Sequence, residues 1–312
     1  MEYILLIIGF VLLIKGADFF VDGASSIAGK LKVPALIIGL TVVSMGTSMP
    51  EAAVSISASL SGNNEISLGN VIGSNIFNLL MVVGISSMIL PIVSDRDVLK
   101  RDMPVNIGIT AVLLIMLLDG ELGRIDAIIL LVLFVAYMII LARSAMKSNE
   151  EEEAPKIYSW LKSILLSVLG LGAIIGGGQL VVNNAKTIAV NLGMGETLVG
   201  LTIVAIGTSL PELVTSIVAA KKNEPGIAMG NAVGSCIFNI LFILGITGVI
   251  KPMTAEATFF MDTGVLIAVC ALMLLFAITK KKTERWEGAV CVLIYVGYTA
   301  YIIMRAYGIW IF

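Results

Sequence analysis

The sequence predicts an all-α membrane protein in which ten transmembrane helices form two inverted repeats of five, with a broken helix in each repeat. Composition is the first reason: 58% of the 312 residues are hydrophobic, 13% are charged, and the mean hydropathy is +1.02. Soluble domains carry about 25% charged residues. The second reason is that residues 39–78 align with residues 200–239 at a constant offset of 161, with 20 of 40 positions identical. A repeat of this length at a fixed offset predicts a duplicated architecture.

Ten apolar runs are long enough to cross a bilayer, for which a helix needs about 20 residues. Further identities extend the repeat towards the N-terminus, so the repeated unit contains five spans. Because five is odd, the second unit must enter the membrane from the side opposite to the first. The predicted repeats cover residues 1–146 and 159–312, and the linker over 147–158 is expected to be an acidic, solvated, cytoplasmic connector. The predicted spans are residues 3–28, 34–60, 66–92, 104–119, 125–146, 159–189, 196–220, 226–250, 258–279 and 286–308.

The basic residues predict which way the chain crosses the membrane, because cytoplasmic segments are enriched in lysine and arginine. With the N-terminus outside, fifteen Lys and Arg residues fall in cytoplasmic segments and four in extracellular ones. Both termini are therefore expected to be extracellular. The net charge of −2 argues against a nucleic-acid partner, and the three cysteines lack the spacing of a metal site or a disulfide framework.

Two acidic residues, Glu51 and Glu212, are expected near the middle of apolar spans, at equivalent positions of the two repeats. A carboxylate at that depth costs roughly a few kcal/mol and marks a candidate functional site. Neither span has a basic residue at mid-membrane, and Lys15 in the first span cannot pair with both glutamates. The neutralising charge is therefore expected to come from a bound cation or from protons.

A proline precedes each glutamate and is expected to break its helix. Pro50 and Pro211 have no backbone N–H and clash with the preceding turn, which predicts breaks over residues 46–50 and 207–211. At bilayer depth, irregular backbone is tolerated only where it lines a cavity or binds a ligand. The freed carbonyls are expected near Ser44, Thr47, Ala205 and Thr208.

Freed carbonyls, hydroxyls and two carboxylates make an all-oxygen site, which suits a hard cation. The charge of two glutamates neutralises one calcium ion, and neutral oxygens beside them suit sodium. The side chains that supply neutral oxygens recur in both repeats and are Ser48, Ser74, Ser209, Ser235, Asn78 and Asn239.

The motifs GTSMPE with GNVIGSNIFN, and GTSLPE with GNAVGSCIFN, resemble the two signature repeats of the sodium/calcium exchanger (cation/calcium antiporter) superfamily. The resemblance covers the whole chain and is to the compact prokaryotic members. It implies a secondary antiporter in the plasma membrane of a prokaryote that extrudes calcium as sodium enters, by alternating access. It also implies no enzymatic activity, no cofactor and no obligate protein partner. Spans 2, 3, 7 and 8 are implied to form the site, and spans 1 and 6 to slide across it.

The resemblance further implies individual ligands. The carboxylates of Glu51 and Glu212 and the carbonyls of Thr47 and Thr208 are implied to bind calcium. One departure is Cys236, which replaces the asparagine of the first repeat at a position expected to be peripheral. The implied sodium ligands are the hydroxyls of Ser48, Ser74, Ser209 and Ser235 and the carbonyls of Ser44 and Ala205.

The two motifs end in Asn78 and Asn239. In the potassium-dependent branch of the superfamily the second of these positions resembles an aspartate, which adds a negative charge to the cavity. An amide offers an oxygen without that charge. The sequence therefore predicts transport that neither requires nor carries potassium.

Two other functions fit parts of the pattern. A protein of the same fold that exchanges calcium or another divalent ion for protons would also use buried glutamates, but the proton-coupled branch resembles GNxxE motifs rather than GTSxPE. An intramembrane hydrolase with two acidic residues would need a water-accessible acid pair, and neither a GxGD nor an HExxH motif occurs. Sodium and calcium ions, and the lipid bilayer, are the predicted partners.

Overall fold

The regular structure is almost entirely helical. Eight of the described helices are long and apolar enough to cross a membrane, and the bent pair Ala35–Thr47 and Met49–Leu60 supplies a ninth span. The remaining predicted span, the seventh over residues 196–220, is described from residue 205 onwards. The computed structural model describes residues 1–62, 64–94, 96–147, 157–193, 205–307 and 309.

The helices and strands are numbered in chain order. The four strands are β1 (Ile92–Val93), β2 (Glu121–Leu122), β3 (Met253–Thr254) and β4 (Lys282–Thr283). The helices are α1 (Glu2–Leu31), α2 (Ala35–Thr47), α3 (Met49–Leu60), α4 (Ile66–Ile89), α5 (Val98–Asp119), α6 (Arg124–Met146), α7 (Trp160–Asn191), α8 (Ala205–Thr208), α9 (Leu210–Lys221), α10 (Pro225–Ile250), α11 (Ala257–Lys280) and α12 (Arg285–Ala306).

The predicted linker and the start of the seventh predicted span fall largely on residues 148–156 and 194–204, which lie outside the described residues. The fourth span begins six residues earlier than expected, at Val98 rather than at residue 104. Its first turn holds Arg101 and Asp102, and the Arg101 Nε atom donates to Asp102 Oδ1 over 2.8 Å. Because the two charges neutralise each other, the helix can begin before the apolar run does.

Two short antiparallel strand pairs show that the repeats are inverted. β1 pairs with β4, and β2 pairs with β3. A helix of 24 residues, α11, lies between β3 and β4, so the two pairs lie at opposite ends of the helical bundle, about 36 Å apart. β1 follows α4, whereas β3 follows α10, the counterpart of α4 in the second repeat. Equivalent helices therefore end on opposite sides. The two ends are called the β1–β4 face and the β2–β3 face.

Glycines hold α1 and α7 in direct backbone contact. A Cβ atom added at Gly16 would lie 2.8 Å from the carbonyl oxygen of Gly170, and one added at Gly9 would lie 2.9 Å from that of Gly177. In a bilayer, such close approach supplies the packing energy that the hydrophobic effect supplies in water. These helices, the predicted spans 1 and 6, are therefore packed as one rigid pair.

The centre of the bundle is formed by α4 and α10. In the most apolar stretch of each helix, 72% of the residues of α4 and 78% of those of α10 are buried, against 22% for α6 and 6% for α12. Each central helix contains one π-helical turn, over Asn78–Val82 in α4 and Asn239–Ile243 in α10. Such turns leave the regular hydrogen-bond ladder and are frequent at functional sites. Both begin at the asparagine that ends a sequence motif.

Candidate ion-binding site

The two helix breaks predicted at the proline motifs are present. α2 and α3 meet at a bend of 47°, and Ser48 between them has φ −81° and ψ 7°. Ser209, between α8 and α9, has φ −92° and ψ 7°. Because Pro50 and Pro211 lack an N–H, they cannot continue the helical hydrogen bonds across the break. The serine of each motif, which lies inside the predicted range, is the residue at which the helix changes direction.

Each glutamate accepts a hydrogen bond from the serine at the helix break of the opposite repeat, which is called the break serine. Ser209 Oγ donates to Glu51 Oε1 over 2.8 Å, and Ser48 Oγ donates to Glu212 Oε1 over 2.8 Å. Ser74 lies next to the first of these contacts, with its Oγ atom 3.1 Å from Ser209 Oγ and 3.5 Å from Glu51 Oε1. All five side chains are buried, four of them completely. The two broken helices therefore meet at a single pseudo-symmetric site.

The site holds buried oxygens without hydrogen-bond donors. Among the described residues, Glu51 Oε2, Glu212 Oε2, Asn78 Oδ1 and Asn239 Oδ1 have no partner. In the same part of the chain, no lysine or arginine forms an ion pair with either glutamate. A buried acceptor that is left unpaired costs about 1–3 kcal/mol, and a charged one costs more. This set of oxygens fits a hard cation, which prefers oxygen ligands.

Two asparagines that the sequence analysis did not assign to the site hold the glutamate turns in place. Asn70 Nδ2 donates to the carbonyl of Glu51 over 3.2 Å and to a serine one turn later over 2.9 Å. Asn231 Nδ2 makes the equivalent bonds, 3.1 Å to the carbonyl of Glu212 and 2.9 Å to Ser216. Asn231 Oδ1 also accepts from Thr47 Oγ1 over 3.0 Å. The identical Gly-Asn pair in both repeats was the signal that could have identified them.

The remaining predicted residues lie around this centre. Asn239 Nδ2 donates to Asn75 Oδ1 over 3.0 Å, and Ser235 Oγ lies 3.5 Å from the carbonyl of Ser44. Thr208 is buried, and Ala205 is the first described residue of α8. At the position that departs from the motif, Asn75 Nδ2 donates to the carbonyl of Cys236 over 3.1 Å. This departure leaves a contact between the central helices intact.

A cavity of about 360 Å³ reaches the site from one end of the bundle. Ser74 and Thr208 line its inner part. It is also lined by Ile66 at the start of α4, Phe259 near the start of α11 and Arg305 near the end of α12. These three helix ends all belong to the β2–β3 face.

The opposite end of the site is closed by packing. A Cβ atom added at Gly234 would lie 2.8 Å from the Cα atom of Leu40, whereas no atom of the described residues lies within 4 Å of one added at Gly73, its counterpart. On the β1–β4 face, Lys222 Nζ donates to Asp22 Oδ1 over 2.6 Å and joins α1 to the chain after α9. In the part of the chain that the structure describes, a cavity therefore reaches the site from the β2–β3 face.

Comparison with known proteins yields one consistent family. The family model described as "Sodium/calcium exchanger protein" matches residues 1–143 and 162–304. The chain is 38% identical over 308 residues to the putative antiporter CaxA of Alkalimonas amylolytica, covering 95% of this chain and 96% of CaxA. It is 34% identical to the sodium/calcium exchanger MaX1 of Methanosarcina acetivorans, over 95% and 97% of the two chains. The solved sodium-calcium exchanger NCX_Mj superimposes with a TM-score of 0.86 and 34% identity, over 96% and 98%.

Proposed function

The chain belongs to the sodium/calcium exchanger protein family, and on this premise we propose that Glu51 and Glu212 carry its exchange of sodium for calcium across the membrane. The observation that carries the proposal is the crosswise pair of contacts, in which the break serine of each repeat binds the glutamate of the other over 2.8 Å. In the described part of the chain, both carboxylates keep one oxygen without a donor. Two negative charges then face one site, and the cation supplies the balance.

The proposed ligands divide by chemistry. Calcium takes six to eight oxygens and favours carboxylates, so it is assigned to Glu51, Glu212 and the carbonyls of Thr47 and Thr208. Sodium carries one charge, and neutral oxygens complete its shell. Its proposed ligands share the two carboxylates and add Ser48, Ser74, Ser209 and Ser235, the carbonyls of Ser44 and Ala205, and the amides of Asn78 and Asn239.

The proposed mechanism of alternating access rests on the packing of α1 against α7. We propose that this pair slides as one body over α3 and α9, because the close backbone contact at Gly16 and Gly170 would be lost if either helix moved alone. The proposed orientation places the β1–β4 face in the cytoplasm, since most lysines and arginines belong to that side. The cavity then opens to the exterior, and both termini are extracellular.

Competition between the two ions tests this assignment. Because both ions need the same two carboxylates, we expect sodium to lower the apparent calcium affinity steeply, with more than one sodium ion displacing each calcium. Calcium binding to the purified protein is titrated at several sodium concentrations, with choline replacing sodium so that the ionic strength stays constant. An affinity that ignores sodium but changes with pH would favour exchange of calcium for protons.

Potassium tests the role of the amide at Asn239. With an amide at this position the described part of the motifs holds two carboxylates, and we expect sodium-driven calcium uptake to be the same with and without potassium on both sides of the vesicle. The Asn239→Asp variant adds a third carboxylate beside Asn75 and is expected to make uptake depend on a further monovalent cation or a proton. Uptake that stops when potassium is omitted from the unmodified protein would contradict the assignment.

A further inference from the structure

An ion pair lies in the wall of the cavity that leads to the site. Arg305 Nη1 and Nη2 donate to the two carboxylate oxygens of Asp262 over 2.9 Å and 2.8 Å. Asp262 is 6% exposed, and the guanidinium carbon of Arg305 lies 5.4 Å from the centre of the Tyr301 ring. Among the described residues that line the cavity, these are the two charged ones, and the same cavity reaches Ser74 and Thr208.

The fold alone does not require this pair. At the repeat offset of 161, the counterparts of Asp262 and Arg305 are Arg101 and Ser144. Arg101 Nη1 donates to Ser144 Oγ over 2.7 Å and joins α5 to α6, as the ion pair joins α11 to α12. Tyr137 Oη of α6 also donates to Asp102 of α5 over 3.0 Å, and the ion pairs of Arg101 lie within its own helical segment. Among the described residues, hydrogen bonds without an ion pair between the two helices therefore join them at this place. The ion pair between two helices occurs at the cavity wall, where a cation would pass.

Each charge of the pair would disturb cation passage if it stood alone. A free carboxylate in a wall of low dielectric constant would bind passing cations, and conduction requires binding weak enough for the ion to leave. A free guanidinium would repel every cation, and a divalent ion twice as strongly as a monovalent one at the same distance. Two parallel hydrogen bonds between Arg305 and Asp262 cancel both effects.

We propose that Arg305 is a specificity-determining residue of the exchange, which neutralises Asp262 so that the cavity admits sodium and calcium without retaining either. This inference rests on the proposed function of the Glu51–Glu212 site and adds to it a control point in the passage. The pair acts on entry from one side of the membrane, because it lines the β2–β3 end of the site. Binding at the site itself does not depend on it.

Three variants test the proposal: Arg305→Gln, Asp262→Asn and the double variant that carries both. Initial rates of calcium and sodium uptake are measured in right-side-out and inside-out membrane vesicles. Arg305→Gln exposes the carboxylate, so we expect the half-saturating calcium concentration on one side to fall by about tenfold while the maximal rate also falls. Asp262→Asn exposes the guanidinium and is expected to slow calcium entry several times more than sodium entry on that side.

The double variant separates charge from structure. Because it restores neutrality, we expect its rates and its calcium-to-sodium ratio to return to within about twofold of the unmodified protein. If the pair only joined two helices, the double variant would lose transport and thermal stability at least as fully as the single variants, and the ratio of the two ions would not change. Loss of transport in the double variant, or an unchanged calcium-to-sodium ratio in the single variants, would overturn the proposal. So would equal changes in uptake rate from the two sides of the membrane.

Two further measurements complete the experiment. Calcium binding to the detergent-purified variants reports on binding without the passage. It is expected to be unchanged in Asp262→Asn and in the double variant, whereas Arg305→Gln is expected to add binding at the exposed Asp262 carboxylate. The exposed pair of Lys280 and Glu284, 3.0 Å apart near the β1–β4 face, is the matched control, and its neutral double variant should transport normally. If the unmodified protein showed no sodium-driven calcium uptake, the function of the site would be refuted rather than the role of Arg305.

Discussion

Replacement of Glu51 or Glu212 by glutamine is expected to lower calcium exchange by at least about 100-fold. Each change removes half of the negative charge of the proposed cation site while the fully buried side chain keeps its volume. Loss of one partner of a buried charge interaction costs about 3–5 kcal/mol, and each 1.4 kcal/mol is about tenfold in affinity. Sodium-driven uptake of labelled calcium into proteoliposomes measures the effect.

A buried glutamate outside the site is the control for these variants. Glu287 is 3% exposed, and its carboxylate accepts from the backbone N–H of Glu284 over 2.7 Å at the start of α12. Glutamine can make the same capping contact, so Glu287→Gln is expected to leave exchange unchanged. Near-normal calcium transport by either site variant would show that the two carboxylates do not share one divalent ion.

The second large effect is expected where α1 and α7 touch. A Cβ atom added at Gly170 would lie 2.5 Å from the backbone nitrogen of Phe20, and a helix backbone cannot move out of the way without separating the two helices. Overpacking of this kind costs about 1–3 kcal/mol or more. We expect Gly170→Ala to lower the midpoint of thermal unfolding in detergent by about 5–10 °C and to slow exchange, because the pair can no longer move as one body.

The same substitution two residues later supplies the comparison. No atom of the described residues lies within 4 Å of a Cβ atom added at Gly172, and alanine favours the helix over glycine by about 1 kcal/mol. Gly172→Ala is therefore expected to leave the unfolding midpoint unchanged or to raise it slightly. If both alanine variants unfolded at the same temperature, the close contact between α1 and α7 would not contribute to stability.

The membrane class, the duplication and the candidate centre were predictable from the chain because each depends on local features. Apolar runs of bilayer length determine where helices cross, and Pro50 and Pro211 break a helix in any surroundings because they lack an N–H. Glu51 and Glu212 stood out because a carboxylate in an apolar span needs a compensating charge. The π-helical turns at Asn78 and Asn239 were not predicted, because i to i+5 bonding has no clear sequence signal.

The contacts across the repeats could be read only from the tertiary structure. Ser48 and Glu212 are 164 positions apart, and their hydrogen bond depends on how the halves pack, which no local pattern encodes. The position of the cavity was equally hidden, because Gly73 and Gly234 occupy the same place in two matching motifs, although Gly73 lines the cavity and Gly234 packs against Leu40. By itself the sequence determined a duplicated membrane protein with two buried acidic centres. The tertiary packing decided which hydroxyl meets which carboxylate and which end is open, because a repeated sequence specifies both halves alike and only their mutual docking distinguishes them.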